Sequence, residues 1–95
     1  MSKIIINAYA ILGDILGFKS NEIFTSAQTV EEVVDFLAQR YNSSFKEYLI
    51  DPQSNLLRNS FRILINGTDI EFRDKLKTSI FDGDEIIFFP PVGGG

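Results

Sequence analysis

The chain has no Cys and no His among its 95 residues. Those two absences exclude disulfides, thiolate nucleophiles, imidazole bases and the usual zinc and iron–sulfur ligands. A self-contained catalytic centre would have to work with carboxylates, hydroxyls and lysine. Positive charge is also scarce: nine Lys and Arg stand against thirteen Asp and Glu, a net charge of −4. Nucleic-acid binding needs cations clustered on one face, so it is not expected, and an acidic surface suits a protein partner instead. No apolar run reaches the roughly 18–20 residues that span a bilayer. A single Lys precedes Ile4-Ile5-Ile6, with no long apolar leader or cleavage site behind it. A cytoplasmic protein with no membrane partner is the expectation.

What is present is enough apolar material for one core. The composition is 44% hydrophobic with nine Phe and three Tyr, and a chain of this length has no material for a second domain. Lys3 to Tyr9 is rich in β-branched residues and reads as a strand with apolar residues on both faces. Ala10 to Gly17 reads as a loop or short helical turn, followed by a second strand at Asn21 to Phe24. Thr29-Val30-Glu31-Glu32 has the form of a capping box, with Thr29 accepting the Glu32 amide and the Glu32 carboxylate reaching back to the Thr29 amide. Val30, Val33, Val34, Leu37, Ala38 and Tyr41 then recur at helical spacing, and the helix is expected to end near Asn42, a residue that tolerates the left-handed conformation. A second helical piece follows at Ser44 to Ile50, and Asp51 to Asn55 is a turn cluster.

Phe61 to Ile65 predicts a third strand, Asn66-Gly67 a type I′ hairpin turn, and Asp69-Ile70-Glu71 a short return strand. Asp82-Gly83-Asp84 is a turn; two carboxylates with no further spaced oxygen ligands fall well short of a calcium loop, and no metal is expected. Glu85 to Phe89 is apolar on both faces and therefore reads as a central strand, stopped by Pro90-Pro91. The fold class is α+β, and the element order suits a β-grasp roll as well as other small folds with one helix on a mixed sheet. The organisation is a domain over 1–89 and an extended tail over 90–95.

The order and spacing of Ile65-Asn66-Gly67, Asp82-Gly83-Asp84-Glu85 and Phe88-Phe89-Pro90-Pro91-Val92-Gly93-Gly94-Gly95 resemble the C-terminal half of the small subunit of molybdopterin synthase. That subunit is one of the MoaD-like and ThiS-like ubiquitin-related sulfur carriers, a family that includes archaeal small modifier proteins. The resemblance implies a ubiquitin-like β-grasp fold with four to five strands, one main helix and a flexible glycine tail. It also implies a carrier with no bound cofactor and no catalysis of its own. An E1-like enzyme would use ATP to adenylate the Gly95 carboxylate, and sulfur would then convert it to a thiocarboxylate. In the molybdopterin case the sulfur is delivered inside the large synthase subunit. The alternatives are conjugation of Gly95 to target-protein lysines, or delivery of sulfur to a transfer RNA or a thiazole. Ending on Gly95, the chain is expected to need no processing protease. It departs from the family's Phe-Ala-x-x-Arg-Glu pattern, having Tyr9-Ala10-Ile11-Leu12-Gly13-Asp14, and Gly93 stands where Thr, Ser or Ala is more usual.

The residues themselves supply a physical reason for such an end. Pro90 and Pro91 hold the exit from the sheet extended, because proline fixes φ and restricts the residue before it. Six extended residues reach about 20 Å, far enough to enter a channel on another protein. Gly93, Gly94 and Gly95 lack a Cβ and can lie against a phosphate or a partner backbone. Pro90 through Gly94 are therefore expected to occupy the partner's channel, with the Gly95 carboxylate as the reacting group. The partner surface beside the tail is expected among Phe61, Ile63, Ile86 and Phe88, with Leu64 as the alternative to Ile63 and with the competing reading that the alternating members of these strands are core.

Overall fold

Ile4, Ile6 and Ala8 lie on one side of an extended segment and are sealed from solvent, while Ile5 and Asn7 between them are half-buried. This is strand β1 (Ser2–Ala8) of a computed structural model that describes residues 1–91. A six-residue helix α1 (Ile11–Leu16) ends on Gly17, whose φ of 86° is the left-handed conformation that glycine adopts without steric cost. The chain then returns antiparallel to β1 as β2 (Ser20–Thr25). The N-terminal hairpin with a long connection is therefore present.

Helix α2 (Val30–Arg40) starts where the cap places it: the Glu32 backbone N–H donates to Thr29 Oγ1 at 3.2 Å. The reciprocal half of the expected box differs. The Glu32 carboxylate accepts the Gln28 N–H at 3.0 Å rather than that of Thr29, which forms an isolated bridge with Ser79. Thr29→Ala is expected to lower stability by about 1 kcal/mol through loss of the cap hydroxyl, read as a shift in the urea midpoint at unchanged slope. Val30, Val33, Val34 and Leu37 form the buried stripe. The helix ends near Asn42 as expected, with Tyr41 as the C-cap at a right-handed φ of −114°. Asn42 instead turns its side-chain oxygen to the Ser44 amide, 3.0 Å away, at the entry to α3 (Ser44–Leu49). On the far flank of α2, Glu31 hydrogen-bonds the Lys77 ammonium at 2.8 Å, and this bond together with the carboxylate charge raises the lysine pKa.

Strands β3 (Arg62–Ile65) and β4 (Thr68–Asp69) are joined by Asn66-Gly67, both at positive φ (49° and 87°) as a type I′ turn requires. The return strand is shorter than expected because Asp69 caps the Glu71 amide at 2.9 Å, and Ile70–Phe72 winds into a 3-10 turn that buries Ile70. A second 3-10 turn, Lys75–Lys77, leads towards β5 (Glu85–Phe89). The sheet order is β2-β1-β5-β3-β4, with β5 parallel to β1 and antiparallel to β3. This mixed five-stranded sheet has its helices packed on one side, the ubiquitin-like β-grasp arrangement, and β5 is central as its two apolar faces imply. The core lies between sheet and helices, where Phe45 of α3 meets Phe88 of β5 edge-on at 5.2 Å. Among the described residues no helix is long and apolar enough to cross a membrane.

Candidate functional site: the exit of the central strand

The site begins with alternation along β5. Ile86 and Phe88 point to the helices and are fully buried, so Glu85, Ile87 and Phe89 point to the opposite, open face. The same parity on β3 buries Ile63 and Ile65 and turns Arg62 and Leu64 outward. Leu64 and Ile87 are direct cross-strand partners, and Ile87 also lies beside Asn7 of β1. The open face of the sheet thus carries half-buried Ile5, Leu64, Ile87 and Phe89. Polar groups rim it: Asn7 donates to the Glu85 carboxylate at 2.7 Å, and Arg62 pairs with Asp69 at 3.0 Å.

The expected partner surface is therefore corrected for all four of its members. Ile63, Ile86 and Phe88 are sealed from solvent on the helix side of the sheet, and no partner can reach them without unfolding. Phe61 is half-buried, packs against the core and meets Tyr48 of α3 at 6.2 Å, so it too lies on the covered side. The residues next to them in sequence, Leu64, Ile87 and Phe89, occupy the accessible face.

Tyr9, absent from the expected partner surface, closes one side of the exit. Its ring lies flat on Phe89, with centroids 4.8 Å apart and 4° between planes, and its N–H donates to the Phe88 carbonyl at 3.2 Å. The end of β5 is thus held on the β1 side by a stacked ring and on the β3 side by the Arg62 pairing. Pro90 is half-buried and Pro91 exposed at this point. Val92, Gly93, Gly94 and Gly95 lie outside the described residues. Beside Tyr9, Ala10 adopts φ 53° and ψ −130°, a conformation that costs an L-residue roughly 1–3 kcal/mol and that a well-packed surrounding must hold.

The departure from the Arg-Glu pattern also has a structural counterpart here. A Cβ on Gly13 would lie 2.7 Å from the Ala8 carbonyl oxygen and 3.2 Å from that of Phe18. The turn after β1 therefore closes tightly around a glycine. Asp82 and Asp84, at the other end of β5, are bonded to backbone: Asp82 accepts the Lys3 N–H at 2.8 Å and Asp84 accepts the Phe81 N–H at 2.8 Å. They shape a turn around Gly83, whose φ is 88°.

A family model described as the ThiS family matches residues 6–95 of the chain. The chain belongs to the ThiS family. Similarity to other proteins agrees with this. The sulfur carrier protein CysO of Mycobacterium tuberculosis is 35% identical over 74 residues, covering 77% of this chain and 78% of the relative. The solution structure of small archaeal modifier protein 1 from Methanosarcina acetivorans is 32% identical, with a TM-score of 0.77, covering 100% of this chain and 98% of that one. A chain of the Amycolatopsis orientalis BexX/CysO complex superimposes with a TM-score of 0.82 at 26% identity, covering 97% of this chain and 99% of that one. Within the ThiS family the chain thus sits among ubiquitin-like proteins that are named as sulfur carriers or modifiers.

Proposed function

We propose that this ThiS-family chain carries sulfur as a thiocarboxylate on Gly95. The observation that carries the reading is the family match itself, which runs through the terminal glycines, on a fold whose central strand ends at a diproline beside an open apolar face. A Gly95 carboxylate oxygen attacks the α-phosphorus of ATP in an E1-like enzyme, releasing pyrophosphate and leaving an acyl adenylate. Sulfide then attacks the carbonyl carbon, AMP departs, and the thiocarboxylate remains. The chain supplies neither acid nor base, in keeping with its lack of His and Cys; the enzyme stabilises the developing charge. ATP is a substrate of that partner, and the carrier holds no cofactor of its own.

The open-face residues Tyr9, Leu64, Ile87 and Phe89 dock the partner, and Pro90 to Gly94 thread its channel. The BexX/CysO complex supports the docking of a second protein against this fold. Ile87→Ala is expected to weaken binding to the activating enzyme by about tenfold or more while the amide spectrum still reports the folded domain. Unchanged affinity would place the interface elsewhere. The acceptor named by the C-terminal resemblance is the pterin precursor in the large subunit of molybdopterin synthase; a thiazole phosphate or a transfer RNA are acceptors of the same chemistry. A second reading, conjugation of Gly95 to lysines of target proteins, is favoured by the whole-length similarity to small archaeal modifier protein 1.

The test is intact mass after incubation with the cognate activating enzyme, ATP and sulfide. A gain equal to the difference between sulfur and oxygen is expected. Release of pyrophosphate with no change in carrier mass after the reaction overturns the sulfur step.

A further inference from the structure

Away from the tail, β2 forms an open edge of the sheet. Ala8 donates its N–H to the Lys19 carbonyl, and β1 and β2 pair antiparallel in the register Ile4↔Ile23 and Ile6↔Asn21. Antiparallel alternation therefore turns the backbone N–H and C=O groups of Ser20, Glu22 and Phe24 away from β1, towards solvent. Such an edge is a template for another strand, and natural proteins usually blunt it with proline, a bulge or a covering segment. None of these is present on Ser20–Thr25. Phe24, at the end of the exposed row, is 63% accessible.

Beside this edge runs a groove of ≈ 540 Å³ between β2 and α2, with Ile23 and Phe36 at its base and Asn21, Arg40 and Tyr41 on its walls. Tyr41 is held upright by the edge of the Phe18 ring at 5.1 Å and by the Asn21 amide at 3.5 Å. The charge on the rim runs against that of the whole chain, whose net charge is −4. Arg40 stands in the last turn of α2. Lys19 precedes β2 in the same alternation as Asn21 and Ile23, on the helix side. Among the described residues neither cation has a carboxylate within 4.0 Å, a state they share with Arg58, Arg73 and Lys75 elsewhere on the surface. The one carboxylate on the groove, Glu22, belongs to the opposite face and faces Lys3 at 3.8 Å.

We infer that the β2–α2 groove binds an extended segment of a partner protein by strand addition, and that this segment has alternating apolar residues flanked by Asp or Glu. Its backbone pairs with Ser20, Glu22 and Phe24. Every second side chain enters the groove over Ile23 and Phe36, and its acidic flanks meet Arg40 and Lys19. A second copy of the chain is the poorer occupant, because it would bring its own Arg40 and Lys19 to the same rim. The site is separate from the tail, so it gives the carrier a way to be held by one protein while another works on Gly95.

The probe is a fluorescein-labelled peptide, Asp-Asp-Val-Thr-Ile-Thr-Val-Asp-Asp, titrated against the full chain while amide spectra are recorded. Shifts are expected at Ser20, Glu22, Phe24, Phe36 and Arg40, with the same core flanked by Lys binding at least tenfold more weakly. Arg40→Glu should reverse that preference. Glu22→Pro removes an outward N–H at a position where an edge strand tolerates proline, and should abolish binding. Should that variant fail to fold, the wild-type chain with a peptide N-methylated at alternate residues asks the same question, and loss of binding is again expected. Binding should be unchanged when Gly95 is deleted, which separates this site from the carrier role. Four outcomes overturn the inference: no binding at millimolar peptide, equal binding of the Lys-flanked peptide, shifts confined to Leu64, Ile87 and Phe89, or concentration-dependent shifts at Ser20 to Phe24 without peptide, which would assign the edge to self-association.

Discussion

Deleting Gly95 is expected to abolish adenylation and every later step while leaving the folded domain unchanged. Under the proposed chemistry the reacting carbonyl belongs to that residue, so removing it withdraws the electrophile by one residue from wherever the activating enzyme holds ATP. Positioning of reacting atoms contributes on the order of 7–11 kcal/mol to such reactions, and a displacement of one extended residue, about 3.3 Å, forfeits most of it. The check is pyrophosphate release with the activating enzyme and ATP, alongside an amide spectrum of the shortened chain. An added residue after Gly95 should have the same effect, since it replaces the carboxylate by an amide. Undiminished pyrophosphate release from either variant would remove Gly95 from the chemistry. The structural half of the prediction rests on the core, whose buried residues, among those described, all precede Pro90.

The largest expected effect on stability is at Phe88. Its ring is fully buried at the centre of the sheet and meets Phe45 edge-on, joining β5 to α3. Phe88→Ala removes the transfer energy of a large side chain and leaves a cavity that a central strand cannot close, a loss of about 3–5 kcal/mol. For a domain whose total stability is of order 5–15 kcal/mol, that lowers the midpoint of thermal unfolding by roughly 15–30 °C. Phe89→Ala, one position along and on the open face, should cost no more than about 1–2 kcal/mol, mainly the stacking on Tyr9. Thermal and urea unfolding of the two variants together test the assignment of faces. Equal losses would contradict it, and so would the reverse order.

That assignment is where the sequence was least informative. A strand with one polar face declares its orientation, but Glu85-Ile86-Ile87-Phe88-Phe89 is apolar at four consecutive positions and Ile63-Leu64-Ile65 at three, so alternation alone leaves both parities open. The structure resolves them through pairing: Ile65 lies opposite Ile86 and Leu64 opposite Ile87, and once one pair faces the helices the whole set follows. The surface beside the tail therefore takes Leu64, the alternative to Ile63, and moves by one residue on β5, from Ile86 and Phe88 to Ile87 and Phe89.

Features governed by local chemistry were legible. Thr29 capped its helix, Asn66-Gly67 made its I′ turn, and the central place of the last strand followed from its two apolar faces. Features set by distant contacts were not. The helix cap fell on a right-handed Tyr41 whose ring packs against Phe18 rather than on a left-handed Asn42, and the return strand was cut short where Ile70 turns into the core. The strained backbone at Ala10 and the flat stack of Tyr9 on Phe89 depend on β1 and β5 being neighbours, which no segment of the sequence states by itself.

Whether Gly95 carries the reactive sulfur is read from the state of that residue in the source cells. Tandem mass spectrometry of the C-terminal peptide, taken from cells lysed under denaturing and thiol-blocking conditions, reads it without assuming any partner. A fraction of the peptide is expected to hold sulfur in place of one oxygen, localised to the terminal glycine. A peptide found only as the free carboxylate, or only in isopeptide linkage to lysines of other proteins, would contradict it.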